Sequence, residues 1–276
     1  MKIQRKVIDF LATRGIGITS NSNLSNLRKQ EIRFKSGLAK FDLVDSLNEN
    51  LLSSFDAKSL AKFLCNSTSQ LGQDLIALAL SDCKRKGFFV EFGATNGKDL
   101  SNTYILEKDF EWQGILAEPA RSWHRDLEIN RNCEIETDCV WKESGVDILF
   151  NEVPYLELST IDSFSSGDMH NESRKAGSKY LVNTITLNEL LTKYQAPFFI
   201  DYLSIDTEGS EFEILNEFDF SKHQFGFISC EHNFTQTRED VLNLLERNGY
   251  KRVMVDFSRF DDWYVHDSLF KAQGFI

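Results

Sequence analysis

From residue 87 onward the chain alternates short apolar stretches with helical patterns, and this alternation restricts the available folds more than any other feature. Stretches 88–92, 114–117, 133–140, 198–205 and 225–231 read as strands, and 250–257 and 263–266 close the series. Helical spacing falls between them, near 101–109, 120–130, 186–194, 209–217 and 236–248. Thr186 and Glu189 form a capping box ahead of Leu190 and Leu191, and Asn248-Gly249 is a stop signal after Leu244 and Leu245. Alternation of this kind predicts a parallel α/β sheet with helices on both faces. Only Ser258 to Asp262 join the last two strands, a hairpin-length link, so one of them is expected to run antiparallel.

Two regions stand outside the alternation. Residues 1–68 are polar and weakly periodic, with helical spacing at Leu43, Leu47 and Leu51 and again at Leu60, Phe63 and Leu64. They are expected to form a helical N-terminal extension to a domain spanning 69–276. That domain opens with a helix over 69–80 whose face of Leu71, Leu75 and Leu78 packs before the first strand. Residues 142–183 are polar and without apolar period, and are expected to be a long loop, either a substrate-facing lid or a mobile surface segment.

Charge and cysteines narrow the function classes. A net charge of −11 argues against broad binding to nucleic acid or an anionic membrane. Five scattered cysteines with no close pair suit a reducing compartment, and the apolar run Val7 to Ala12, interrupted by Asp9, is too short for a signal peptide or a membrane span. The expectation is a cytoplasmic protein.

Three strand ends carry candidate chemistry, because open α/β sheets bind ligands at the carboxyl edge of their strands. The first is Glu91-x-Gly93-x-x-x-Gly97, where glycines allow positive φ and close backbone approach. A buried strand ended by a structural glycine turn reads the same. It lacks the third glycine of dinucleotide binders, and an acid two residues before the first glycine suits a ligand that carries a cation. The second is Glu118-Pro119, where an acid can accept both hydroxyls of a ribose, or can cap the next helix. The third is the run Asp206-Thr207-Glu208-Gly209-Ser210-Glu211, which offers a base, a metal site or an amino-group contact, against plain helix capping. His232, between Glu231 and Asn233 after the next strand, is a candidate base, although a lone His is commonly structural.

VEFGATNGKDLSNT, GILAEP, IDYLSIDTEGSE and CEHN, in that order, resemble the FkbM-type S-adenosylmethionine-dependent methyltransferases. The likeness extends to SQLGQD at 69–74 and DDWYV at 261–265. The resemblance implies a Rossmann-like class I methyltransferase fold, a seven-stranded, mostly parallel sheet with its last strand antiparallel. It implies that Glu91, Phe92, Gly93, Ala94, Thr95, Asn96 and Gly97, with Ser101 and Asn102, hold the methionine part of S-adenosylmethionine. Glu118 and Pro119 meet the ribose, Asp138, Cys139 and Val140 flank the adenine, and Asp206 to Glu208 lie near the reactive methyl.

The function expected is O-methylation of a hydroxyl on a sugar, glycan or related small molecule, with His232 as leading base and Asp206 or Glu208 as alternatives. Asp206, Glu208 and Glu231 offer a possible Mg²⁺ set, but no metal is expected. The competing readings are an oxidoreductase with a nucleotide cofactor and a non-catalytic scaffold of the same fold. Trp123, Trp141, Trp263 and Tyr264 are available as sugar-stacking rings, though in a chain with 23 phenylalanines most aromatics are expected in the core.

Overall fold

The computed structural model describes residues 39–47, 58–154, 156–166 and 171–272. The remainder of the N-terminal extension, including Leu51, lies outside the described residues, as do residues 167–170 of the expected loop. Helix α1 covers 39–47, α2 Lys58–Ala61 and α3 Gln73–Leu80. Every residue of α3 is buried, so it is a core helix rather than an amphipathic cover. Leu43, Val44 and Leu47 of α1 join Leu71, Leu75 and Leu78 in one apolar cluster with Phe89 and Tyr202 of the sheet.

The alternation then unfolds as expected. Strand β1 (Phe88–Phe92) is followed by α4 (Tyr104–Phe110), β2 (Gln113–Ala117), α5 (His124–Asn130) and β3 (Glu134–Glu136). The chain next crosses to β4 (Cys139–Val140), β5 (Asp147–Glu152), β6 (Thr160–Ile161), α6 (Asn171–Arg174) and β7 (Ser178–Ile185). It returns through α7 (Leu187–Lys193), β8 (Phe199–Ile205), α8 (Glu211–Asn216), β9 (Gln224–Glu231), α9 (Arg238–Arg247), β10 (Tyr250–Val253), α10 (Val255–Ser258), β11 (Asp261–His266) and α11 (Asp267–Ala272). Thr186 caps α7 as predicted, its hydroxyl accepting the Glu189 N–H at 3.2 Å.

Seven strands form the large sheet, in the order β10-β11-β9-β8-β1-β2-β3. The pairs around β1, β2, β3, β8 and β9 are parallel, while β11 is antiparallel to both its neighbours. The short final link was the clue to that reversal. β1 sits at the switch point, because the chain winds outward through β2 and β3 on one side and through β8 and β9 on the other. In such sheets a crevice opens at the carboxyl ends of the two diverging strands.

The described residues of 142–183 do not form a loop. β4, β7, β5 and β6 make a second, four-stranded sheet, with β5 antiparallel to β7 over six residue pairs from Asp147↔Asn183 to Glu152↔Ser178. Its own small core holds Ala120, Cys139, Phe150, Ile161 and Val182. The polar outer face of β7 hid a period of two, in which Val182 and Thr184 point inward and Leu181 and Asn183 outward. The expected strand 133–140 is likewise two strands belonging to different sheets.

Candidate active site

A cavity of about 390 Å³ opens at the carboxyl ends of β1, β2, β8 and β9, within the usual range for small-molecule sites. Two walls come from the 157–161 segment of the second sheet, within the stretch expected to be a loop, and from the corner after β9.

The first strand end builds the floor. Gly93 has φ +72°, and a Cβ there would lie 2.0 Å from the Asp206 carbonyl oxygen, so the β1 and β8 loops touch backbone to backbone across the switch point. Glu91 lines the cavity, yet its carboxylate is held from inside by the Asn102 N–H (2.7 Å), the Ser101 hydroxyl (2.9 Å) and Thr103, with Arg131 at 3.7 Å. Its role is to fold the 101–103 segment over the floor. Asn102 donates its Nδ2 to the Ser204 hydroxyl at 2.9 Å, leaving its buried Oδ1 without a partner.

At the end of β2, Glu118 accepts the Thr95 N–H on one oxygen (2.8 Å) and the Ala120 N–H on the other (2.9 Å). Burial outweighs these donors and pushes the carboxyl up to about 7. A carboxyl group in that setting has lone pairs left for further donors from the cavity.

β8 and β9 supply the acids opposite. Burial raises Asp206 to about 6, while a hydrogen bond from Glu231 opposes the rise. Glu231 is raised well above the usual range by burial, then by the neighbouring Asp206 and Glu208 charges. Burial and their mutual proximity thus make both carboxyls hold a proton more readily than an ordinary carboxylate. Glu208, in left-handed backbone at φ +60°, accepts from the buried Arg174 (2.8 Å) and from Asn233 (3.2 Å). Asp261 receives the Gln73 amide at 2.8 Å and is pushed up to about 7 by burial. One oxygen from each of Asp206, Glu208 and Glu231 lies within 4.8 Å of the others, so a metal set is geometrically available, although Arg174 already neutralises one member.

The Methyltransferase FkbM domain model matches residues 91–252, more than half of the chain. The chain belongs to the FkbM methyltransferase family. Among solved structures, an FkbM methyltransferase from Methylobacillus flagellatus KT is similar at 14% identity and a TM-score of 0.41, over 66% of this chain and 44% of that one. A precorrin-6y C5,15-methyltransferase from Geobacter metallireducens GS-15 is similar at 11% identity and a TM-score of 0.37, over 65% of this chain and 71% of that one. The chain thus spans less than half the length of the first of these structures. No curated protein sequence matches.

Set against this FkbM cavity, the expected site residues divide. Glu91, Phe92, Gly93, Thr95, Ser101, Asn102, Glu118, Pro119, Cys139, Val140, Asp206 and Glu208 all line it. Ala94, Asn96, Gly97 and Asp138 do not. Ala94 is buried beneath the loop, and Asn96 is spent on the turn, its Oδ1 accepting the Lys98 and Asp99 N–H groups. Gly97, at φ +75°, makes room for Arg131 and Leu127, which a Cβ would meet at 2.6 Å. Asp138 points outward from the crossing between the two sheets and accepts from Asn183 at 3.0 Å.

His232 is the largest correction, because it does not line the cavity. Its Nε2–H meets the Asp261 carbonyl at 3.1 Å and its Nδ1 accepts the Phe234 N–H at 3.0 Å, so backbone occupies both ring nitrogens. Burial, partly opposed by Asp262, lowers its proton affinity further. A histidine so placed cannot take a proton from a ligand in the cavity. Trp123, Trp141, Trp263 and Tyr264 also lie elsewhere, and Trp263 and Tyr264 are wholly buried. The aromatic residues at the cavity are Phe92, Phe150, Phe234 and Phe260. Gln73, Asn233 and Phe234 carried a signal only through the SQLGQD motif and their position after CEH.

Proposed function

We propose that this chain is an S-adenosylmethionine-dependent O-methyltransferase of the class I arrangement, acting on a hydroxyl of a sugar, glycan or related small molecule. The observation that carries the reading is Glu118, a buried acid pinned to the Gly93–Gly97 loop through Thr95 and facing a cavity at the switch point. The residues fit the cofactor in four respects. Glu118 retains acceptor capacity for a ribose diol. Gly93 gives backbone access where a Cβ would clash. The unpartnered Asn102 Oδ1 and Glu231 Oε2 can accept from an ammonium or a hydroxyl. Cys139 and Val140 supply an apolar wall for a flat base.

When bound, the cofactor supplies an electrophilic methyl on a sulfonium. An acceptor hydroxyl that takes this methyl would give up its proton, and the chain must supply the group that receives it. Asp206 replaces His232 as the base. It lines the cavity, and with its carboxyl at about 6 it can act as a base at neutral pH. Glu231 hydrogen-bonds it from the end of β9. No step requires a metal.

Calorimetric titration of the purified protein with S-adenosylmethionine, S-adenosylhomocysteine and NAD tests the cofactor. Binding of the first two and not the third is expected, and NAD binding alone overturns the reading. A labelled-methyl screen over sugar acceptors, read by mass, tests the chemistry, and transfer to nitrogen alone removes the O-methyl assignment.

A further inference from the structure

The corner after β9 is built at conformational cost. Asn233 and Phe234 are consecutive non-glycine residues in left-handed backbone, at φ +41° and +58°. Left-handed backbone is unfavourable for such residues and persists only where its surroundings hold it. Here they do. The Phe260 carbonyl accepts the N–H groups of His232 (2.9 Å) and Asn233 (3.3 Å), and the His232 carbonyl accepts the Thr235 N–H (2.7 Å) and hydroxyl (2.8 Å). His232 Nδ1 takes the Phe234 N–H, and its ring meets the Phe234 ring edge to face at 5.1 Å.

What this scaffold presents is a phenyl ring 63% exposed to solvent that lines the cavity. Leu100, itself at φ +63° and 47% exposed, stands on the same rim with Phe260. Below the rim lie Asp206, Glu231 and Asp261. Among the described residues the cavity lining holds seven carboxylic side chains and no Lys, Arg or His. The two guanidinium groups nearest the lining, Arg174 and Arg131, are already paired with Glu208 and Glu91, so an anionic group entering there finds no cation in the wall, whereas hydroxyls find acceptors and the ring offers an apolar face.

We propose that Phe234 is the stacking platform of the acceptor subsite, and that the subsite takes a non-anionic, sugar-like polyol whose C–H face lies on that ring while a hydroxyl reaches Asp206. His232 is the positioning residue that holds the platform. The proposal rests on the methyltransferase reading above and names its substrate class.

The test uses saturation-transfer NMR on the protein loaded with S-adenosylhomocysteine. The probes are methyl glycosides of neutral hexoses, set beside hexose 6-phosphates and hexuronic acids of the same ring configurations. Binding of one or more neutral glycosides is expected, with the anionic probes silent. Phe234→Ala is expected to weaken that binding about tenfold, while Phe234→Tyr and Phe234→Trp retain it. Anionic probes binding as well as neutral ones, unchanged binding to Phe234→Ala, or no binding by any probe overturns the proposal. Loading with S-adenosylhomocysteine is measured separately. Its failure counts against the methyltransferase reading, whereas normal loading with any of the adverse sugar results removes this acceptor-subsite proposal alone.

Discussion

Replacing Glu118 by Gln keeps the side chain's shape and removes its charge, and the structure fixes what that should do to stability across pH. In the unfolded chain this carboxyl titrates near its ordinary 4.5, and in the fold at about 7. The folded state therefore holds the proton more tightly than the unfolded one. The stability contributed by Glu118 is fully present below the unfolded value and is lost as pH rises through the folded one. At about 1.36 kcal/mol per unit, the loss reaches roughly 3 kcal/mol by pH 8. Gln escapes that loss. It gives up something else, because the Thr95 and Ala120 N–H groups both point at the side chain and an amide offers only one oxygen, which costs about 1 kcal/mol. Glu118→Gln should thus be less stable than the parent by about 1 kcal/mol in acid, cross it near pH ~5, and exceed it by roughly 2 kcal/mol at pH ~8. Urea unfolding followed by circular dichroism in the absence of ligand, from acid to pH ~8, reads both the sign and the crossing. Parallel stability curves for the two proteins would show that Glu118 titrates normally in the fold and would refute the reasoning.

Three other perturbations follow from the same geometry. Asp206→Asn should lower turnover of an acceptor by about 10²–10⁴-fold with S-adenosylhomocysteine affinity little changed, and parent turnover should rise as pH passes through about 6. Equal turnover in the variant removes Asp206 as base. Arg131→Met strips a buried guanidinium from Glu107 (2.6 Å), Thr103 (2.9 Å), Ser101 (3.1 Å) and the Gly97 carbonyl (3.1 Å), and leaves the buried Glu91 without its cationic partner. It should destabilise by about 3–5 kcal/mol in thermal or urea unfolding, and a loss below ~1 kcal/mol would deny that this network matters. Val182→Asp places a charge in the small core of the second sheet. It should detach the walls that sheet supplies and weaken ligand binding, and unaltered binding in calorimetry would show that the cavity does not need them.

Local order was legible because it is written in neighbours. Alternating apolar stretches, the Thr186 cap and the short final link are short-range signals, and they were enough to predict the parallel sheet and its one reversed strand, although the tail of the expected strand 250–257 is the short helix α10. The glycine loop and Glu118 were visible for the same reason, since a strand end and its turn lie within a few residues of each other. Residues 142–183 hid a sheet because one face of β7 is solvated and the apolar half of its pattern is thin. Who meets whom at the site was decided only in three dimensions. Arg131, not a ligand, answers Glu91 from 40 residues away, and Arg174 reaches Glu208 across 34. Phe234 lines the cavity and His232 does not, the reverse of what their types suggest. Backbone partners brought by β11 occupy both nitrogens of the histidine, and the strained turn beside it carries the phenylalanine to the cavity mouth. A residue's type sets what chemistry it can do, but its unused hydrogen-bonding capacity depends on partners that only packing assembles, and that capacity is what a ligand meets.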